Sequence, residues 1–133
     1  SRAMADTPTL EELERQEREL QFDRFDFDTA WRLGVALVEA GRRADLPIAI
    51  DIRRAGQQLF HAALPGSAPD NDAWLRRKAR VVERFHEASL HVGAFPIAVR
   101  GVGVVGTVAV SGLPQLEDHA LVVSVLTEVL AAR

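Results

Sequence analysis

The feature that most constrains the fold is a regular alternation of side chains around a glycine, in LPIAIDIRRAGQQLFHAAL (residues 46–64). Isoleucine recurs at every second position from 48 to 52, and Phe60, Ala62 and Leu64 keep the same spacing after Gly56. A period of two is that of a strand with one face on a core, and glycine suits the tight turn between two strands. This stretch therefore predicts a β-hairpin with one apolar face.

A second glycine-rich stretch, FPIAVRGVGVVGTVAVSG (residues 95–112), contains the spacing G-x-G-x-x-G at Gly101, Gly103 and Gly106. In a dinucleotide-binding loop this spacing joins a strand to a helix, whose N-terminus holds the pyrophosphate. Residues 107–110 are instead small or β-branched, which favours a strand. The stretch therefore predicts a second hairpin, and the dinucleotide interpretation is set aside.

Helical patterns occupy the rest of the chain. The predicted helices are a first one capped by Thr9, a second capped by Asp28 and ended by Gly41, a long one from Asp72 to about Leu90, and a terminal one with Pro114 in its first turn. With one further strand in LQFDRFDF, the order is α-β-α-β-β-α-β-β-α. We therefore predict an α/β (α+β) fold, in which helices pack on an antiparallel five-stranded sheet.

Composition narrows the function classes. The chain has 133 residues and a formal net charge of −3, so we expect a single domain with no basic face for nucleic acid. It contains no cysteine, which fits a reducing, cytoplasmic compartment, and no apolar run approaches the length of a membrane span. Residues 1–4 are interpreted as a cloning remnant and residues 5–133 as the domain.

Two polar side chains interrupt the apolar faces of the predicted helices. By helical spacing, Lys78 lies on the same face as Trp74 and Val81, and His119 lies on the same face as Leu116 and Val123. Lys78 either extends its ammonium to an edge of the protein or meets an anionic ligand. His119 is either a hydrogen-bonded core residue or a ligand near a helix N-terminus, where anions bind readily.

Catalytic and metal motifs are weak. Glu83 and His86 form only one half of a di-iron signature, and neither Ser67 nor Ser111 lies in a nucleophile elbow. We therefore predict no metal site and lean against an enzyme.

Three blocks of the chain together resemble the small haem-degrading-domain (GlcG-like) family, in its largely uncharacterised cytoplasmic branch. They are LPIAIDIRRAGQQLFHAALPG, PDNDAW…RK (residues 69–78) and FPIAVRGVGVVGTVAVSGLPQLEDHALV (residues 95–122). The resemblance implies a profilin-like fold, homo-oligomers of two or more subunits, and haem or another small ligand as a candidate cofactor. The positions carried over as ligand-binding residues are Asn71, Trp74, Lys78, Arg100, Ser111, Asp118 and His119.

The function hypothesis is a cytoplasmic, self-assembling protein that binds an anionic small molecule, with haem or another tetrapyrrole as the candidate suggested by the family. The alternatives are a haem-degrading enzyme and an assembly or adaptor protein without a small ligand. We also expect Lys78 and His119 to share one cavity, and the second hairpin or the terminal helix to form the interface between subunits. Finally, we expect residues to be missing from the chain near Val92 and Gly93.

Overall fold

The computed structural model describes residues 7–85 and 94–132. Its element order confirms the predicted one. The elements are α1 (Leu10–Glu19), β1 (Gln21–Phe22), α2 (Phe27–Arg43), β2 (Ala49–Arg54), β3 (Gln57–Ala63), α3 (Pro69–Phe85), β4 (Ala94–Val99), β5 (Gly103–Ser111) and α4 (Gln115–Ala131). The expected gap near Val92 and Gly93 lies outside the described residues.

The five strands form one sheet in the order β1-β4-β5-β2-β3. Both predicted hairpins are present as antiparallel pairs, β2 with β3 and β4 with β5, and β2 also pairs antiparallel with β5. The short β1 runs parallel to β4, so the sheet is antiparallel except at this edge. The two hairpins therefore meet at the centre of the sheet, where β2 and β5 lie side by side.

The second hairpin explains the G-x-G-x-x-G spacing. Gly101 and Gly103 have φ angles of 74° and 112°, a region in which side chains are strained. After Gly106 the chain continues as strand to Ser111 and does not enter a helix. These glycines therefore serve a turn between strands, as the sequence predicts.

Helices cover both faces of the sheet. On one face, α2 and α4 pack over the main core, to which the sheet contributes large side chains such as Ile50, Phe95 and Val108. On the other face, α3 packs its Leu75 and Val82 against small residues of the sheet. The sheet residues in this second cluster are Ala49, Ala94 and Ala109.

The boundaries of α2 differ from the prediction. Asp26, and not Asp28, caps the helix, because its Oδ1 accepts a hydrogen bond from the Thr29 backbone N–H at 2.8 Å. Asp28 follows in the first turn. Gly41 does not end the helix, which continues to Arg43. A β-carbon at position 41 would overlap Leu64, so this glycine allows close packing inside the helix.

The apolar stripes of α3 and α4 are also shifted from the predicted ones. In α3 the buried positions are Leu75, Lys78, Ala79 and Val82, and Trp74 is exposed. In α4, two valines beyond the predicted stripe, Val122 and Val125, are buried in the core. The apolar side chains of α4 are thus packed largely within the subunit. α1 is capped by Thr9 as predicted and buries none of its residues.

A test of the packing follows from Gly34, at which a β-carbon would overlap the ring of Phe60. We expect Gly34→Ala to lower the free energy of unfolding by about 1–3 kcal/mol, because the ring must move. Urea denaturation measures the change. The double variant Gly34→Ala/Phe60→Leu should recover part of the loss, and an unchanged stability for Gly34→Ala would contradict this packing.

Candidate functional site

Lys78 ends in the interior of the protein and not at an edge. It is 4% exposed, and its ammonium donates hydrogen bonds to the Val110 carbonyl at 2.7 Å and to Asp118 Oδ2 at 3.0 Å. The interpretation that Lys78 extends its charge to an edge is therefore wrong. The anion that it meets is a side chain of the same subunit.

Asp118 joins this lysine to the start of α4. Its second oxygen, Oδ1, accepts a hydrogen bond from the Leu113 backbone N–H at 3.1 Å. Burial raises the pKa of the Asp118 carboxyl to about 6, and the nearby Lys78 ammonium opposes that rise. The pair thus connects α3, the end of β5 and the first turn of α4 through buried polar contacts.

His119 follows Asp118 in the chain but contacts different elements. Its Nε2 lies 3.2 Å from Gln16 Oε1 of α1, and its ring centroid is 6.1 Å from that of Phe95. Phe95 belongs to the core under α2 and α4, whereas the Lys78 ammonium contacts Val110 and Asp118. Lys78 and His119 thus have different partners, and a cavity shared by the two stays a prediction.

Burial favours the neutral form of the His119 ring. It is 3% exposed, and burial lowers its pKa below the ordinary value. Its Nδ1 is buried without a hydrogen-bond partner among the described residues. This environment is typical of a core histidine, and a ligand-binding role for His119 stays a prediction.

The other predicted site residues are dispersed. Asn71 donates from Nδ2 to Ser111 Oγ at 3.3 Å, beside the end of β5 where Lys78 also binds. Trp74 is exposed, with the Arg77 guanidinium 5.2 Å from its ring centroid. Arg100, at the turn of the second hairpin, pairs with Asp23 at 3.2 Å. The structure thus gathers Asn71, Ser111, Lys78 and Asp118, while their role as ligand-binding residues stays a prediction.

A polar cavity of about 230 Å³, which no pattern in the sequence indicates, lies between α3 and the hairpin of β2 and β3. Its floor is Asp51, which is 1% exposed. Asp51 Oδ2 accepts a hydrogen bond from Arg53 Nε at 2.9 Å, and Oδ1 accepts one from Gln58 Nε2 at 2.7 Å. The cavity, which we call the arginine pocket, is lined by Asp51, Arg53, Gln58, His61, Asp72, Leu75 and Arg76.

A β-bulge builds this pocket. Arg53 pairs with Gln58 although its neighbour Ile52 pairs with Phe60, so β3 carries one extra residue at Leu59. Because a bulge reverses the alternation of faces beyond it, Gln58 reaches the same face as His61. A period-two pattern alone assigns those two residues to opposite faces.

Carboxylates hold two side chains of the arginine pocket, Arg53 and His61. Asp51 engages only Nε of Arg53, and His61 Nε2 lies 2.8 Å from Asp72 Oδ1. Within residues 7–85 and 94–132, Arg76 forms no ion pair. An anchored guanidinium with free terminal nitrogens, beside a second arginine, is suited to a bidentate oxyanion such as a carboxylate or phosphate.

A larger groove of about 560 Å³ lies between α1 and the turn of the second hairpin. Its α1 wall carries Glu14, Glu17 and Arg18, and its floor is apolar. Two carboxylates against one guanidinium disfavour an anionic ligand there.

On the described residues, no three histidine, cysteine or acidic side chains are grouped to hold a metal ion. Nor is any helix of the described chain long and apolar enough to cross a membrane.

One known protein family matches much of this chain. The family described as haem degrading protein HbpS-like matches residues 25–92 and 86–127. A UPF0303 protein of Streptomyces coelicolor is 56% identical over 145 aligned positions, covering 90% of this chain and 92% of the relative. A UPF0303 protein of Streptomyces avermitilis is 53% identical over 150 positions, covering 93% and 92%.

Solved structures agree on the fold. The crystal structure of the Ybr137w protein matches with a TM-score of 0.83 and 30% identity, over 92% of this chain and 88% of that one. A structure described as a PduOC:Heme complex matches with a TM-score of 0.63 and 14% identity, over 76% and 94%. HbpS matches with a TM-score of 0.62 and 18% identity, over 83% and 92%.

The buried pair can be tested by comparing single and double substitutions. We expect Lys78→Met to lower the free energy of unfolding by about 3–5 kcal/mol, because it leaves the Asp118 carboxylate buried without its partner. Lys78→Met/Asp118→Leu should cost less than Lys78→Met alone. Denaturant titration of the three proteins measures both effects. A small loss of stability with a large loss of anion binding would instead assign Lys78 to a ligand.

The raised pKa of Asp118 gives a pH dependence with a defined sign. The folded carboxyl titrates at about 6 and the ordinary value is 3.8, so between these values the folded state binds more protons than the unfolded chain. The contribution of this group to stability is therefore present below about 4 and is lost as the pH rises through about 6. The free energy of unfolding is measured from pH 3.5 to 7 for the wild type and for the Lys78→Met/Asp118→Leu variant. The stability of the wild type relative to the variant should fall as the pH rises. A difference that rises with pH would refute the assignment.

Proposed function

The chain belongs to the HbpS-like family of haem-degrading proteins, and on that basis we propose that it binds an anionic small molecule in the arginine pocket. The observation that carries the proposal is the buried Asp51 carboxylate, which holds the Nε side of Arg53. A buried charge is costly unless it is paired. Here the pairing also fixes a guanidinium at the wall of a cavity.

The two guanidinium groups of the pocket favour an oxyanion. Counted with histidine neutral, the carboxylates of Asp51 and Asp72 balance Arg53 and Arg76, so the pocket has no net charge. Its attraction for an oxyanion comes from the guanidinium N–H groups that no carboxylate of the described residues occupies. Lys78 is less suited to this role, because its ammonium already contacts Asp118 and a carbonyl. The pocket therefore supports the predicted class of ligand at residues other than the predicted ones.

Haem or another tetrapyrrole is the candidate ligand, because one structural neighbour is described as a haem complex. The pocket suits part of such a molecule. Arg53 and Arg76 would hold its carboxylates. His61 offers an imidazole oriented by Asp72, the usual arrangement for a histidine that binds a metal. A cavity of about 230 Å³ is below the usual range for enclosing a drug-sized ligand, so the macrocycle would lie mostly outside it.

Self-assembly, a cytoplasmic location and the absence of catalysis complete the proposal. The lack of cysteine supports a reducing compartment. The two competing functions are a haem-degrading enzyme and an adaptor without a small ligand. The first would consume bound haem in the presence of a reductant and oxygen, and the second would bind neither haem nor small anions.

A haemin titration followed by visible absorbance tests the proposal. We expect Arg76→Gln to weaken binding about tenfold, the value of one charge-assisted contact. Arg80→Gln is the matched control, because Arg80 is exposed on the same helix but does not line the pocket. Inorganic phosphate should compete with haemin on the wild type and less on Arg76→Gln.

The same titration separates the alternatives. His61→Ala should remove the Soret shift if His61 binds the iron, whereas His119→Ala should preserve it. If haemin gives no shift but calorimetry detects phosphate, the ligand is a smaller oxyanion. If neither binds, the small-ligand proposal is wrong and the adaptor function remains.

A further inference from the structure

Two large aromatic side chains of α2 point away from the core. Phe27 is 64% exposed and Trp31 is 62% exposed. They lie four residues apart, on the same side of the helix. Phe60 of β3 extends the patch, since its ring packs edge-to-face against Trp31 with centroids 5.5 Å apart.

The core does not require this patch. α2 already buries a complete stripe, formed by Ala30, Leu33, Gly34 and Leu37, against the sheet and α4. Single exposed apolar residues are common, but adjacent aromatic residues that form a patch indicate an interaction surface. We therefore expect another molecule to cover the patch.

The charges beside the patch would complement those of a second copy of the chain. Asp28 and Arg32 are both exposed and lie one turn apart on α2. A two-fold axis near position 30 would make two α2 helices antiparallel. It would bring Asp28 of each copy towards Arg32 of the other. Such an isologous contact is self-complementary, as two-fold interfaces must be.

We propose that Phe27, Asp28, Trp31, Arg32 and Phe60 form the interface through which two copies pair about a two-fold axis. This inference rests on the self-assembly in the proposed function. It differs from the expected interface at the second hairpin or the terminal helix. Much of the apolar surface behind that expectation is buried inside the subunit, including Val122 and Val125 of α4 and most of β5.

A charge exchange tests the pairing. Asp28→Arg leaves two positive charges at positions 28 and 32, and Arg32→Asp leaves two negative ones. Each variant alone should repel its own copy and halve the particle mass measured by light scattering. Mixing the two variants should restore the mass, because opposite charges then face each other across the axis. Arg80→Gln, on the opposite face of the sheet, serves as a control for surface charge.

The aromatic contact has its own readout. The chain has two tryptophans, so Trp74→Phe leaves Trp31 as the single fluorophore. Its emission should shift to shorter wavelength as concentration rises and pairs form. Trp31→Ala should halve the particle mass of the wild type while circular dichroism stays unchanged.

The outcomes are distinguishable. If the wild type assembles and all three variants keep its mass, the α2 interface is wrong and self-assembly stands. If both charge variants dissociate but their mixture does not reassociate, the two-fold pairing is wrong. A wild type that remains at 14.6 kDa up to about 100 µM would overturn both self-assembly and this inference. Ligand binding, tested separately through Arg76→Gln, would not be affected.

Discussion

The arrangement of the fold depends on a lysine that is almost completely buried. The Lys78 side chain extends from α3, and its ammonium donates hydrogen bonds to a carbonyl of β5 and to Asp118 of α4. Apolar contacts between α3 and the sheet are mostly with alanine, which restrains sliding little. Hydrogen bonds with defined directions set the position of the helix instead, and the walls of the arginine pocket follow from that position.

Much of the fold could be predicted because the hairpins are encoded locally. Alternating isoleucines and glycines at turns specify β2 to β5 without reference to the rest of the chain. The start of α2 could not be placed to the residue, because Asp26 and Asp28 are both good caps and only the observed hydrogen bond distinguishes them. The buried face of α3 differs from the predicted face for a related reason. Trp74 and Leu75 are both apolar, and only packing decides which one is buried.

The candidate site was harder to predict than the fold. Asp51 lies between two buried isoleucines, and alternation assigns it to the solvent side of a half-exposed strand. That side is covered by α3, so the same residue becomes the buried floor of a pocket. Lys78 and His119 could be identified as unusual from spacing alone. Their partners, Asp118 for one and Gln16 for the other, depend on contacts distant in sequence.

Placing helices on both faces of a single sheet has a consequence for how strongly an assembly can hold its targets. The arginine pocket lies under α3, and the aromatic patch lies on α2, across the sheet. A pair joined through α2 would therefore carry two pockets on its outer sides. Two equivalent sites on one rigid body bind a surface or polymer that displays repeated anionic groups by avidity, with an effective concentration set by the spacing between them. Modest affinity at each pocket would then be sufficient for lasting attachment.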